Sequence, residues 1–498
     1  MTWLLFLSSA FAMDGGNFLP DQTSFLDRGL SFVGIFILVG VAWGLSTERK
    51  SVDWRPVIWG IALQLVFGLL VLSNATAFLT TYLYAALEGF LTLIGVDWKV
   101  PSEGLLFVAV DTSVNRLIGF AGDGANFVFQ SVQPHQILGP DGTPEFYVGR
   151  ISPPVKTFAF WILPTIVFFS SLMSLLYHIG LMQLVVRVLA WAMVRTLGTS
   201  GAESLSTAGN IFVGQTEAPL LIKPFVAKMT RSELMAVMTG GFATVAGGVL
   251  GAYVSFLQNV PNIAGHLVIA SIISAPAALA IAKVMVPETE VPATRGKVEM
   301  PKVDPKDAPS NAIEAAARGA SDGMQLAINV AAMLIAIVGL VAMFNWFISW
   351  TPVTFCASGA SFGYGCSVAA EAGEPMSMSI LLGWLFAPVA FIMGVPWSEC
   401  GVIGRLLGEK IVLTELLAYI HLGQIINGDT PVISERSAII ASYALCGFAN
   451  FASIGIQLGG IGGIAPERMS DLAQLGLRAM VAGVIAACMT GCIAGLFL

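Results

Sequence analysis

Long uncharged stretches recur along this chain, and each is long enough to cross the hydrocarbon core of a lipid bilayer. A helix of about 20 apolar residues spans that core. Non-helical backbone is tolerated at this depth only where protein or a water-filled cavity covers it. The sequence therefore predicts an all-α polytopic membrane protein with about eight transmembrane helices. The stretches lie at about 29–46, 56–80, 157–180, 234–260, 261–282, 324–352, 437–462 and 479–498.

The composition agrees with a membrane protein. Hydrophobic residues make up 56% of the 498 residues and charged residues only 11%, whereas about a quarter of the residues of a soluble domain are charged. The formal net charge of −7 says little about partners, because the charges lie in loops. The sequence has no run rich in Lys and Arg and no nucleic-acid motif, so a nucleic-acid partner is not supported.

Two acidic residues interrupt the apolar pattern at breaks marked by glycine and proline. Glu217 lies in the segment 214–219, GQTEAP, and Glu399 in the segment 394–400, GVPWSEC. A carboxylate at bilayer depth costs roughly 3 kcal/mol on insertion scales, so it normally faces a cavity or a partner and marks a transport pathway. The surrounding stretches, 203–222 and 376–408, are therefore predicted to be re-entrant hairpins. Two such acids suggest one binding site built from two halves of the chain.

The basic residues predict the orientation of the spans, because short loops rich in Lys and Arg face the cytoplasm. These residues cluster on alternate loops and place both termini outside the cell. The first hairpin then enters from the cytoplasm and the second from outside, so the two hairpins are oppositely oriented. The residues concerned are Arg49, Lys50, Arg55, Arg187, Arg195, Lys223, Lys228, Arg231, Lys283, Arg295, Lys297, Lys302, Lys306, Arg468 and Arg478.

An internal repeat supports the division into two halves. The segment 241–247 reads GFATVAG and the segment 447–453 reads GFANFAS, with four of seven positions identical. This repeat predicts an inverted arrangement in which each half consists of a hairpin, a broken helix and a closing helix. In such folds the substrate lies near the midplane, where hairpin tips and unwound helices expose polar groups. Thr244, Asn450 and Ser453 are the polar members of the two segments.

The chain is predicted to divide into eight segments. The first thirteen residues are apolar and compatible with a cleaved signal peptide, although they contain no basic residue. Cys356 and Cys366 share a predicted external loop and are compatible with a disulfide in an oxidising compartment. The segments are an N-terminal leader or external segment (1–28), scaffold helices with an external loop insertion (29–156), the third span with a cytoplasmic connection (157–200), the first repeat (201–285), a cytoplasmic linker (286–310), a scaffold helix (311–352), an external loop (353–375) and the second repeat (376–498).

Three separate segments, in the expected order, resemble signature segments of the concentrative nucleoside transporter family. They are 214–220, GQTEAPL, then 394–399, GVPWSE, and 444–450, ALCGFAN. The likeness extends from about Phe158 through Leu498 and more loosely over the first two spans. The family consists of trimeric secondary transporters that move nucleosides inward with sodium or, in some members, protons. The long loop around 133–154 and the N-terminal leader depart from its short bacterial members.

The resemblance implies a function and a set of partners. The chain would be a homotrimeric, multi-pass protein of the cell membrane that imports nucleosides with sodium by alternating access. It would not be an enzyme, and it would need no cofactor beyond Na⁺ as the coupling ion. Its partners would be nucleosides, sodium ions and the lipid bilayer.

The resemblance also implies the residues of the substrate site. A carboxamide supplies both a donor and an acceptor, which suits a base edge, and Gly214 leaves room beside Gln215. Both pyrimidine and purine nucleosides are therefore expected as substrates. The implied nucleobase contacts are Gln215, Thr216, Glu217 through water, and Val249. The implied ribose contacts are Glu399, Asn450, Ser453 and Phe448.

A sodium site is implied beside the substrate site. Hard cations prefer oxygen ligands, and hydroxyls, amides and backbone carbonyls supply them. Family members carry Ser where this chain has Thr244, so the hydroxyl is kept. The implied sodium ligands are Asn210, Val213, Thr244 and Val245.

Other interpretations of these residues stay open. Glu217 is compatible with a structural pair to Lys223, and the polar residues with ordinary interhelical hydrogen bonds. Proton coupling through Glu217 or Glu399 is the rival of sodium coupling. A dicarboxylate transporter with two hairpins would need basic residues where this chain has acids and amides. An intramembrane enzyme would need a nucleophile with a base, and the sequence has no H-E-x-x-H motif.

Overall fold

The computed structural model describes residues 18–20, 25–72, 105–129, 135–138, 144–147, 160, 163–298, 309–350, 377–428 and 430–498. Nearly all regular structure in these ranges is helical, and one short antiparallel pair of strands is the exception. The prediction of an all-α membrane protein therefore holds apart from that pair. Most of the predicted leader, linker residues 299–308 and the loop with Cys356 and Cys366 lie outside the described residues.

The described residues before position 200 form five helices and the two strands. One of these helices, α3, was not predicted as a span, because Asp111, Arg116 and Asp123 interrupt its apolar pattern. The strands lie within the predicted loop insertion at 133–154, where they pair in antiparallel register. The elements are α1 (Phe25–Gly44), a 3₁₀ turn (Arg49–Ser51), α2 (Trp54–Leu72), α3 (Leu105–Phe129), β1 (His135–Leu138), β2 (Pro144–Tyr147), α4 (Leu163–His178) and α5 (Leu181–Leu197).

Residues 201–285 contain two short helical segments joined by a turn, a helix interrupted at 244–246 and a long final helix, here called the hairpin, the broken helix and the closing helix of the first repeat. Ser200 and Thr230 each begin a helix with a capping box, completed by Glu203 and Glu233. The break falls at 244–246, where Thr244 adopts an extended conformation. The elements are α6 (Gly201–Asn210), a 3₁₀ turn (Ala218–Ile222), α7 (Lys223–Val226), α8 (Arg231–Ala243), α9 (Gly247–Phe256) and α10 (Ile263–Met285).

The second repeat has the same order after the long helix α11. The broken helix is interrupted at 446–450, inside the segment that echoes the first repeat. The elements are α11 (Ala312–Trp350), α12 (Met378–Ile392), α13 (Trp397–Val412), α14 (Glu415–Ile426), α15 (Glu435–Leu445), α16 (Phe451–Ile464), a 3₁₀ turn (Pro466–Arg468) and α17 (Met469–Phe497).

Two turns, rather than one, occur in the region of the second predicted hairpin. The chain bends by 119° between α12 and α13, at the Gly/Pro break of the predicted hairpin 376–408. A second turn follows at Leu413 and Thr414. There His421 Nδ1 lies 2.7 Å from Glu409 Oε2, so α14 folds back along α13. This α13–α14 hairpin corresponds to the hairpin of the first repeat, because each directly precedes its broken helix.

Four helices in the described ranges, counting the broken α8–α9 as one, are long and apolar enough to cross a membrane. The number rises to six if the bent pairs α4–α5, with an angle of 79°, and α12–α13 each form one span. These findings support a multi-pass membrane protein. The predicted count of about eight spans, the re-entrant character of the hairpins and the orientation of the termini stay predictions.

The core lies where the broken helices meet the closing helices. Helix α10 is almost entirely buried, and α8 and α17 pack against it. Gly447 has a φ of +114°, and a Cβ atom there would lie 2.6 Å from the carbonyl oxygen of Phe242 and 2.7 Å from that of Ala243. Glycine is required at this position, because it lets the second break pack directly against the end of α8.

Candidate functional site

The tip of the first hairpin contacts two helices of its own repeat, the closing helix α10 and the second part of the broken helix, α9. Ser271 Oγ on α10 donates to the carbonyl of Ile211 at 3.1 Å. The amide of Gly247, the first residue of α9, donates to the carbonyl of Phe212 at 3.0 Å. These bonds fix the backbone that carries Gln215.

Gln215 reaches from this tip across to the second repeat. Its Nε2 donates to Ser453 Oγ at 3.1 Å, and its Oε1 accepts from Gln457 Nε2 at 3.0 Å. Gln457 also donates to the carbonyl of Met238 on α8. Gln215, Ser453 and Gln457 are all buried. The predicted nucleobase residue Gln215 and the predicted ribose residue Ser453 are thus in direct contact.

Asn450 begins α16 at the break of the second repeat. Its Oδ1 accepts from the amide of Ser453 at 2.9 Å, as an N-cap residue does. Its Nδ2 donates to Glu415 Oε2 at 2.9 Å. Capping therefore fixes the side chain of Asn450 so that the amide group points toward a buried carboxylate.

Glu415 is the first residue of α14, directly after the turn of the α13–α14 hairpin. Besides Asn450, its carboxylate accepts from Tyr253 of α9, whose hydroxyl lies 3.0 Å from Oε1. The ring of Tyr253 stacks on Tyr419 with centroids 4.3 Å apart. Gln215, Glu415, Asn450, Ser453 and Gln457, here called the polar cluster, bring together two hairpin turns and a helix break.

Glu399 does not join the polar cluster in this structure. It lies in the first turn of α13, at the opposite end of that helix from Glu415. Its Oε2 accepts from the amide and the hydroxyl of Ser434, each at 3.0 Å. Ser434 is the N-cap of α15, so Glu399 stabilises the start of that helix. The structure thus places this predicted ribose contact away from Asn450 and Ser453.

The remaining predicted substrate residues differ in exposure. Val249 is buried and Phe448 half-buried, and both pack in the apolar core. Thr216 is half-buried and lies against Gly460 of α16. Glu217 is exposed, and its carboxylate lies beside Gly214.

Two predicted sodium ligands lie where the hairpin tip meets the break of the first repeat. Asn210 is only 1% exposed, yet among the described residues neither its Oδ1 nor its Nδ2 has a hydrogen-bond partner. Thr207 Oγ1, one turn earlier on α6, is also without one in the described part of the chain. Buried polar groups are rarely left unpaired. The Asn210 amide therefore suits an ion or ordered water, while the hydroxyl of Thr244 donates to the Gly240 carbonyl at 2.8 Å.

Three residues of this region were not predicted from the sequence: Glu415, Gln457 and Tyr253. The sequence does contain a signal for Glu415. Within the apolar run 411–422, Thr414 followed by Glu415 is the pattern of an N-cap residue and an acidic first turn, which predicts the start of a helix. Gln457 and Tyr253 each lie within an apolar helix, and only the packing of α16 and α9 reveals their partners.

Comparison with known proteins identifies the family. A family model described as the C-terminus of Na⁺-dependent nucleoside transporters matches residues 266–495, and the corresponding N-terminal model matches residues 33–132. A third model, described as nucleoside recognition, matches residues 159–260. An uncharacterized transporter of Haemophilus influenzae is 38% identical over 94% of this chain and 97% of its own length. The chain belongs to the concentrative nucleoside transporter family. This is a family of nucleoside transporters, not of enzymes.

The chain spans less than two thirds of the length of two mammalian relatives and nearly the whole length of a protein of solved structure. Solute carrier family 28 member 3 of Mus musculus is 39% identical over 94% of this chain, but the chain spans only 58% of that relative. Sodium/nucleoside cotransporter 1 of Mus musculus is 37% identical, with 63% of its length covered. The solved structure of CNTnw in an inward-facing, substrate-bound state is 37% identical with a TM-score of 0.75 and covers 95% of this chain and 98% of CNTnw.

Proposed function

We propose that this concentrative nucleoside transporter is a sodium-coupled importer of nucleosides. The observation that carries the proposal is the bond from Gln215 on the first hairpin to Ser453 on the second broken helix. It supports a single site that draws on both repeats. The names of the relatives as sodium/nucleoside cotransporters agree with this function.

One side of the polar cluster would bind the base of the nucleoside, and the other side would bind its ribose. Gln215, with Thr216 and a water-mediated contact to Glu217, would bind the base, with Val249 as an apolar contact. Asn450, Ser453 and Glu415 would bind the ribose against Phe448. A carboxylate that accepts from two hydroxyls suits a sugar, because a charged partner strengthens each hydrogen bond. Glu415 takes the ribose role first assigned to Glu399, since Glu415 bonds Asn450 and Glu399 does not.

Binding would replace hydrogen bonds that the cluster now makes with itself. The Gln215–Ser453 and Asn450–Glu415 bonds join donors and acceptors that a nucleoside would satisfy in turn. Such an exchange costs little net hydrogen-bond energy while it separates the two hairpin turns. The chain would work by alternating access as a homotrimer in the cell membrane, with both termini outside.

Sodium would bind at the break of the first repeat. Asn210 and Thr244 would supply side-chain oxygens, and Val213 and Val245 backbone carbonyls. Unwound helices commonly bind cations in this way. The rival is proton coupling, which a carboxylate of the site could mediate.

We expect uridine uptake into proteoliposomes to follow an imposed Na⁺ gradient. An Asn210→Ala variant should raise the Na⁺ concentration for half-maximal uptake about tenfold, because it removes one oxygen ligand worth about 1.4 kcal/mol. The matched control is Asn259→Ala, at a half-buried asparagine whose side chain bonds Asn427. Uptake that does not depend on Na⁺ and follows a pH gradient in choline medium would establish proton coupling instead.

A competition experiment tests the substrate class. Inhibition of uridine uptake by succinate but not by adenosine would indicate a dicarboxylate transporter.

We expect broad base selectivity. Gly214 adds no side chain beside Gln215, and only the Glu217 carboxylate, which could contact the base through water, lies against it. The Gln215 carboxamide can turn to match either a pyrimidine or a purine edge. Adenosine, inosine, uridine and cytidine should therefore each compete with labelled uridine for uptake. Competition confined to uridine and cytidine would refute this prediction.

A further inference from the structure

Lys410 has no role in the site described above, and it is among the largest fully buried side chains of the described residues. It lies in the last turn of α13, just before the hairpin turn. Its Nζ donates to the carbonyl of Ala444 at 2.9 Å and to that of Cys446 at 3.4 Å. These carbonyls end α15, where a helix leaves acceptors without an internal partner and presents the negative end of its dipole.

The first repeat has the same junction between the same elements. The last turn of α6, before the turn of the first hairpin, faces the end of α8. A Cβ atom on Gly240 of α8 would lie 3.0 Å from Thr207 Oγ1 and 3.5 Å from Asn210 Nδ2. Aligning the segments 241–247 and 447–453 places Gly240 opposite Cys446. Helix α6 therefore meets α8 as α13 meets α15.

The two junctions differ in what the hairpin helix supplies. In the first repeat it supplies the amide of Asn210, whose polar atoms have no partner among the described residues. In the second repeat it supplies an ammonium group that already bonds the helix-end carbonyls. One junction is thus suited to a dissolved cation, and the other carries a positive charge of its own.

We propose that the Lys410 ammonium is a tethered cation that occupies, in the second repeat, the place that the coupling ion takes in the first. The inference rests on the proposed sodium site at Asn210. Lys410 would hold the end of α15 and the turn before Glu415 in the arrangement that the first repeat reaches only with an ion bound. The chain would therefore bind one sodium ion, and Lys410 would be a positioning residue that sets this number.

The test counts sodium ions bound to the purified full-length chain. Binding of radioactive sodium at saturation, without nucleoside, should give one ion per chain in the wild type. Lys410→Gln keeps a polar side chain but removes the charge, and it should bind a second ion. Lys410→Arg keeps the charge and should again bind one. The sodium dependence of uridine binding should change in parallel, from a Hill coefficient of about 1 to about 2 in Lys410→Gln alone.

Two results would overturn the proposal: two ions bound by the wild type, or a folded Lys410→Gln variant that binds no more ions than the wild type. If Lys410→Gln does not fold, the number of ions bound by the wild type alone tests the proposal: one ion supports it and two ions overturn it. Failure of the proposed function gives a different pattern. If the wild type binds no sodium, sodium coupling is wrong, whereas a single ion gained by Lys410→Gln would still support the tethered cation. If the wild type binds one ion and Lys410→Gln binds two, but neither protein binds uridine, the proposed nucleoside substrate is wrong. The proposed role of Lys410 would still stand.

Discussion

Replacing Glu415 by glutamine is expected to weaken uridine binding on the order of tenfold or more. The carboxylate bonds both Asn450 Nδ2 and the hydroxyl of Tyr253, and in the proposed complex it accepts from the ribose hydroxyls. Hydrogen bonds to a charged group contribute roughly 1.5–3 kcal/mol, more than neutral ones. Glutamine keeps the size of the side chain but removes the charge. Isothermal calorimetry on the purified variant measures the dissociation constant directly.

Glu399→Gln is the matched control for this experiment. Both acids are buried to the same extent, at 5% exposure, and both lie on α13 or the helix that follows it. Because Glu399 bonds Ser434 at the start of α15 and none of the residues of the polar cluster, its substitution should lower thermal stability and leave the dissociation constant for uridine within about twofold. Loss of binding in Glu399→Gln, with normal binding in Glu415→Gln, would restore the assignment made from sequence.

Glu399 and Glu415 show what a sequence pattern can and cannot specify. Each acid interrupts an apolar run, so composition alone gives both the same expectation. What separates them is position along α13, because Glu399 lies at its start and Glu415 beyond its end. Only the fold-back of α14, marked by the Glu409–His421 contact, shows which end meets the break at Asn450.

Other features of the fold followed from sequence because their signals are local. The hairpin tip at Gln215 and the breaks at Thr244 and Asn450 carry Gly-rich segments and capping side chains, which act within a few residues. Helix α3 was missed for the opposite reason. Its charged Asp111 is paired in three dimensions, with Asn115 Nδ2 at 2.9 Å and the amide of Gly265 at 3.0 Å. A hydropathy pattern cannot register a partner that is distant in sequence.

Lys283→Met is expected to be the most destabilising substitution considered, with a loss of roughly 3–5 kcal/mol in the free energy of unfolding. Lys283 Nζ lies 2.8 Å from Glu203 Oε2 and 3.1 Å from Glu288 Oε2, and it donates to Ser232 Oγ at 3.0 Å. Glu203 is 1% exposed. These contacts join the base of the first hairpin to the ends of α8 and α10. Methionine fills the space but leaves a buried carboxylate without its cation.

Two further variants identify the cause of this loss. Arg318→Met breaks an exposed pair on α11, in which Arg318 lies 2.5 Å from Glu314, and such pairs contribute at most about 1 kcal/mol. Adding Glu203→Gln to Lys283→Met should recover part of the stability, since the unpaired charge is then gone. Unfolding followed by tryptophan fluorescence in detergent compares the four proteins. A double variant no more stable than Lys283→Met would mean that Lys283 stabilises the base of the hairpin by packing, not by neutralising Glu203.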